Sequence, residues 1–161
     1  MTYAAQRAGG LGRWETGRMT APDRDRDREG RARQARPRDA LGRPLPYGTE
    51  GVEPVPEEPL PPEDALTAAR ALVVAGRPFA AHEVLEARWK AGPVEERDLW
   101  QGLAQACVAL THEARGNEVG ADRLFDRAAE RLEAFAATGR GSYGLDVSVA
   151  AERARNHVSA L

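Results

Sequence analysis

The sequence predicts an all-α protein, a compact bundle of four to five helices behind a disordered or extended N-terminal tail. Three observations carry this. Apolar residues recur at helical spacing from residue 62 onward, no segment alternates as a strand does, and most of the eleven prolines fall before residue 62. The 161 residues, 42% hydrophobic and 30% charged, suffice for one ordinary domain. Only the second part has the apolar periodicity to bury a core. The expected division is therefore residues 1–61 as an Arg/Pro-rich tail and linker and residues 62–158 as the helical bundle.

The first helix is expected over 62–75. Pro62-Glu63-Asp64 opens it with a proline at a tolerated position and acids that suit the helix dipole, and Gly76 closes it as a left-handed cap. The second begins near Pro78 and stops at Gly92-Pro93, close enough to the first to form a helical hairpin. The third runs over 94–115 and is stopped by Gly116-Asn117. No charged residue occurs in it between Leu99 and His112, so it reads as the central helix. Leu99, Trp100, Leu103, Ala106, Cys107 and Leu110 gather on one side, and Gln101, Gln105, Val108 and His112 on the other. The fourth helix, over 118–137, has a clean stripe of Ala121, Phe125, Ala128, Leu132 and Phe135 against a charged face. A glycine-rich loop and a short fifth helix over 146–157 follow.

Charge is distributed unevenly. Residues 1–48 carry eleven Arg against six Asp or Glu, whereas residues 49–161 carry twelve basic residues against nineteen acidic ones. The alternating Asp23–Arg28 run is a self-neutralising polyampholyte, which suits a solvated tail better than a phosphate binder. Arg31–Arg38 is the better anion contact. It has no interleaved aromatics, so nucleic acid is disfavoured there and base stacking unsupported. The proline-rich stretches 42–48 and 54–62 are linker, with Leu45, Tyr47, Val52 and Val55 as anchors should they dock along the domain.

Cys107 is the one cysteine, which excludes an intrachain disulfide and a cysteine-cluster zinc site and suits a buried, inert thiol. No run of 18 apolar residues suggests a membrane span, and the N-terminus lacks the apolar core of a secretory signal, so the expected location is cytoplasmic. Met19 is an alternative start to Met1.

The chemistry concentrates in the second helix. At about 100° per residue, Phe79, His82, Leu85, Glu86 and Trp89 fall in one arc of roughly 120°. That places a histidine and a carboxylate inside an otherwise apolar stripe, where polar groups must find partners, titrate or bind something. The pattern Phe79 and His82-Glu83-Val84-Leu85-Glu86-Ala87-Arg88-Trp89 continues with Gln101-Gly102-Leu103-Ala104-Gln105, His112, Gly116-Asn117 and Gly120-Ala121. In this order and spacing it resembles the bacterial family catalogued as domain of unknown function 309, over roughly residues 62–137. The resemblance implies a small all-helical fold and brings no established activity.

Four readings of this constellation compete. In the first, His82, Glu86 and His112 hold a metal ion, four residues being a chelating spacing on a helix, with Gln101, Gln105 or water completing the shell. In the second, Glu86 accepts from His82, a glutamine amide or a tryptophan indole, and this buried network ties helix two to helix three. The third is a ligand groove between those helices, lined by His82, Glu86, Gln101, Gln105 and His112 and walled by Phe79, Trp89 and Trp100. The fourth, acid–base catalysis by His82 and Glu86, lacks any nucleophile or phosphate-loop motif beside it. The loop Gly139–Gly144 follows no strand and reads as a flexible turn. The sequence thus favours a non-enzymatic binding or interaction module without a cofactor, its partner a protein or small molecule. The alternative is a metal-dependent hydrolase using His82, Glu86 and His112.

Overall fold

The computed structural model describes residues 36–161, a single compact unit. The Asp23–Arg28 run, the start of Arg31–Arg38 and the choice between Met1 and Met19 lie outside the described residues. Five α-helices follow one another: α1 (Pro62–Val74), α2 (Pro78–Ala91), α3 (Arg97–Ala114), α4 (Glu118–Ala136) and α5 (Val147–Arg155). Among the described residues the one departure from helix and coil is an isolated antiparallel bridge between Arg38 and Pro44. The helix boundaries agree with the sequence expectation to within a few residues. The largest difference is at the start of helix three, where Val94–Glu96 forms a 3₁₀ turn before the α-helix begins.

Local chemistry explains the boundaries. Pro62 and Pro78 sit at the first helical position of α1 and α2, where the missing N–H costs no bond. Gly76 and Gly116, at φ +72° and +78°, reverse the chain after α1 and α3 in a conformation that glycine adopts without a side-chain penalty. Asn117 caps α4 by accepting from the Gly120 amide at 3.0 Å, and Asp146 caps α5 by accepting from Val149 at 3.1 Å.

Helix α3 is central, with α2 packed on one flank and α4 on another, while α1 packs on α2 and α5 on α4. Leu99, Trp100, Leu103, Ala106 and Cys107 are buried along it, with Leu66, Leu85, Leu132 and Phe135 from the neighbouring helices in the same core. The stripe expected on α4, Ala121, Phe125, Ala128, Leu132 and Phe135, is buried throughout. The weak fifth helix folds back and buries Val147, Ala150, Ala151 and Ala154. Burial pushes the Cys107 thiol up to about 12, so it is a neutral core group.

Small residues let α3 and α4 approach closely. A Cβ on Gly102 would lie 2.9 Å from Leu132 Cγ and 3.3 Å from the Ala128 carbonyl oxygen. Neither atom is the free end of a flexible chain. Gly102→Ala is therefore expected to push the two helices apart and cost about 1–3 kcal/mol. Chemical denaturation checks this; an unchanged midpoint would mean that the helices are free to separate there.

Candidate functional site

The polar residues singled out in the sequence fall into three separate groups. On α2, His82 and Glu86 lie one turn apart with His82 Nε2 3.3 Å from Glu86 Oε2, and Lys90 pairs with the other Glu86 oxygen at 2.8 Å. The His82 ring also tilts against Phe79, their centroids 5.5 Å apart. Its Nδ1 is buried and has no partner within hydrogen-bond geometry, although the Phe79 carbonyl is close enough to act on the ring. Burial lowers the His82 pKa below 6.5, opposed by Glu86 and the Phe79 carbonyl, so the ring is held toward its neutral form at pH 7.

Gln101 and Gln105 stand one turn apart on the half-buried side of α3, the helix against which α2 packs. The side-chain oxygen of each is shielded from solvent and accepts no hydrogen bond. No bond joins either glutamine to Glu86. Of the partners expected for Glu86, His82 on the same helix is in place, whereas no glutamine or indole bonds it, so Glu86 does not tie helix two to helix three.

The third group removes His112 from the first two. Its Nδ1 lies 2.8 Å from the Asn117 amide nitrogen, and Asn117 in turn receives the Gly120 N–H. A Cβ on Gly120 would strike both His112 and Asn117. His112, Asn117 and Gly120 therefore form the lock of the α3–α4 turn. Among the described residues, no three His, Cys, Asp or Glu side chains come together as a set able to hold a metal ion. His82, Glu86 and His112, the set of the alternative metal reading, do not come together.

The aromatic walls also divide. Phe79 and Trp89 are half-buried, and Trp89 packs against the core. Trp100 is fully buried and lines no groove. Its indole N–H donates to Glu96 Oε2 at 2.8 Å, and its ring stacks on Tyr143 at 6.0 Å between centroids. The Tyr143 hydroxyl donates to the other Glu96 oxygen, and Arg88 reaches Glu96 at 3.4 Å while lying over the Trp100 ring.

This Glu96 knot ties the end of α2, the start of α3 and the loop before α5, and sequence reasoning missed it. The available signal was a lone tyrosine in a glycine-rich loop. Tyr143 itself adopts φ +56°, and Ser142 Oγ donates to the Leu145 carbonyl at 2.5 Å, so the expected flexible turn is an ordered one. Burial alone would raise the Glu96 pKa, but the bonds from Trp100 and Tyr143 and the charge of Arg88 together hold it below the ordinary carboxylate value.

The geometry defines an all-α bundle with two unpaired glutamine acceptors on α3 and an unpaired histidine nitrogen on α2. Residues 66–124 match the model of a family described as "Domain of unknown function (DUF309)". Over that stretch the chain is similar to this family. It is also 42% identical over 57 residues to the uncharacterised protein YpuF of Bacillus subtilis (strain 168), a match covering 35% of this chain and 33% of that one. The match thus spans about a third of the relative's length. No solved structure matches the chain. No helix among the described residues is long and apolar enough to cross a membrane.

Two outcomes follow from the titrations. The unfolded chain takes up a proton at His82 before the folded chain does, so stability is expected to fall as pH drops through 6.5. In His82→Gln that part of the decline should vanish, as denaturant midpoints at pH 7.5 and 5.5 would show. Glu96 acts in the same direction at lower pH: its stabilisation is present above pH 4.5 and is lost as pH falls below it. Glu96→Gln is expected to cost about 1–3 kcal/mol at neutral pH, since Tyr143 and Trp100 lose a charged acceptor. Urea melts followed by tryptophan fluorescence measure it.

Proposed function

We propose that the bundle is a binding module whose ligand is held by Gln101, Gln105 and His82 on the α2–α3 side, as a non-enzymatic partner protein or receptor. The buried, unpaired side-chain oxygens of Gln101 and Gln105 carry this reading. A buried acceptor left without a donor costs about 1–3 kcal/mol. Two of them a turn apart, with an unpaired imidazole nitrogen on the neighbouring helix, form a surface that pairs with donors. The matching ligand class presents N–H or O–H groups, as amides, ammonium groups and sugars do. His82 and Glu86 alone offer neither a nucleophile nor a metal set, which favours binding over hydrolysis.

Replacing both glutamines by leucine separates a ligand site from a structural one. If the oxygens serve a ligand, Gln101→Leu with Gln105→Leu removes two unpaired acceptors from the free protein. The doubly substituted protein is expected to melt at the same temperature as the wild type or higher. In a thermal-shift screen of amide, amine and polyol compounds, it should lose the stabilisation that the wild type gains. A substantially lower melting temperature in the absence of any compound would instead assign the glutamines to the fold, bridged through water, and defeat the proposal.

A further inference from the structure

Residues 36–53 do not hang free of the bundle. The segment first organises itself: Asp39 accepts from the Leu41 and Arg43 amides at 2.9 and 2.8 Å, Leu45 N–H donates to the Pro37 carbonyl at 2.8 Å, and Val52 N–H to the Arg38 carbonyl at 2.9 Å. The result is a small, pre-shaped strap. The bundle then grips its backbone from two directions. Arg115, just past the end of α3, donates to the Leu41 carbonyl, and Arg77, just before α2, donates to the Glu53 carbonyl at 2.5 Å.

Between these grips Gly42, at φ +74°, lies directly on the Phe79 ring, where any side chain would overlap the ring carbons. Arg38 and Arg115 flank the same ring, their guanidinium carbons 5.2 and 6.0 Å from its centroid. Further along, Val55 and Leu60 pack against the core, whereas Tyr47 stays 55% exposed. The strap therefore sits on Phe79, the immediate neighbour of His82, and Arg38 brings its charge to Glu83 on the same helix.

We infer that this strap is a latch over the Phe79–His82 end of the binding site, closed by Arg77, Arg115 and the seat of Gly42 on Phe79, and that the site opens when it lifts. The inference rests on the reading of the α2–α3 side as a binding site. Its chemistry suits a reversible closure. The contacts holding it are hydrogen bonds to backbone carbonyls, one glycine face on a ring and the Arg38 guanidinium beside that ring, and no side chain between residues 36 and 53 belongs to the hydrophobic core. Such a segment belongs to the low-stability end of a structure, where local opening precedes global unfolding. His82 is the sensor of the opening, since the closed protein leaves its side chain only 22% exposed.

The test uses the full chain, the Gly42→Val variant and the doubly substituted Arg77→Gln, Arg115→Gln variant. Backbone hydrogen exchange over residues 36–53 reports whether the strap has lifted. Acylation by diethyl pyrocarbonate, read residue by residue by mass spectrometry, reports access to the imidazoles. His157, already 40% exposed on the α4–α5 side, is the internal reference. The expected result in both variants is faster exchange in the strap and a rise in His82 acylation on the order of tenfold, with His157 unchanged.

Faster strap exchange with His82 acylation unchanged would overturn the inference, because the strap would then cover nothing. Unchanged strap exchange in both variants would overturn it too, since these contacts would not be the closure. An equal rise at His157 would mark general loosening and count against it. The glutamine substitutions test the binding site without touching the strap, so the two readings fail by different measurements.

Discussion

Everything in this molecule hangs on a helix that must be covered on nearly every side. Between Leu99 and His112, α3 has no charged residue, and a helix so composed cannot present one face to water and another to a core. Helices α2 and α4 both pack against it, and α1 and α5 extend the same core through them. Gly102 sets the spacing on the α4 side, where the backbone comes close enough that Leu132 and the Ala128 carbonyl occupy the place of a side chain. Burying large apolar side chains such as Trp100, Leu103 and Leu132 contributes about 1.5–3 kcal/mol each. The polar residues must fit into what that packing leaves.

They fit in three different ways. Glu96 is satisfied completely, by an indole, a phenol and a guanidinium, and so joins α2, α3 and the loop before α5. His112 and Asn117 close the α3–α4 turn on a glycine that leaves them room. Gln101, Gln105 and the inner nitrogen of His82 are left without partners although they are shielded from solvent. Folded proteins seldom leave such groups unpaired. Glu96, His112 and Asn117 thus join elements of the bundle, whereas Gln101 and Gln105 keep an unpaired oxygen each.

The helices were legible because their signals are local. A 3.6-residue period, prolines at the openings and glycines at the ends depend on neighbours within a turn, and each recurs at its expected place. The helix-two stripe placed Phe79 beside His82, and His82 beside Glu86, for the same reason. The site was less legible. Trp100 was read as a groove wall, but an aromatic in a helix looks alike in sequence whether it faces a groove or the centre of the core, and here it is wholly buried. His112 fell in the face of Gln101 and Gln105 by angle. The chain reversal immediately after it supplies Asn117, a partner five residues away that no helical projection displays.

By itself, then, the sequence determined the approximate limits of the helices and the apolar faces of α3 and α4, since each depends on contacts within a few residues. Helix α2, by contrast, buries Ala80, Ala81, Val84 and Leu85 and leaves Phe79 and Trp89 half-buried. Which polar side chains meet was decided only in three dimensions. Glu96 and Tyr143 are 47 residues apart, and Arg115 and Leu41 are 74 apart. Pairings over such distances depend on how whole helices are set against one another. That setting follows from shape and volume across the core, which periodicity does not encode.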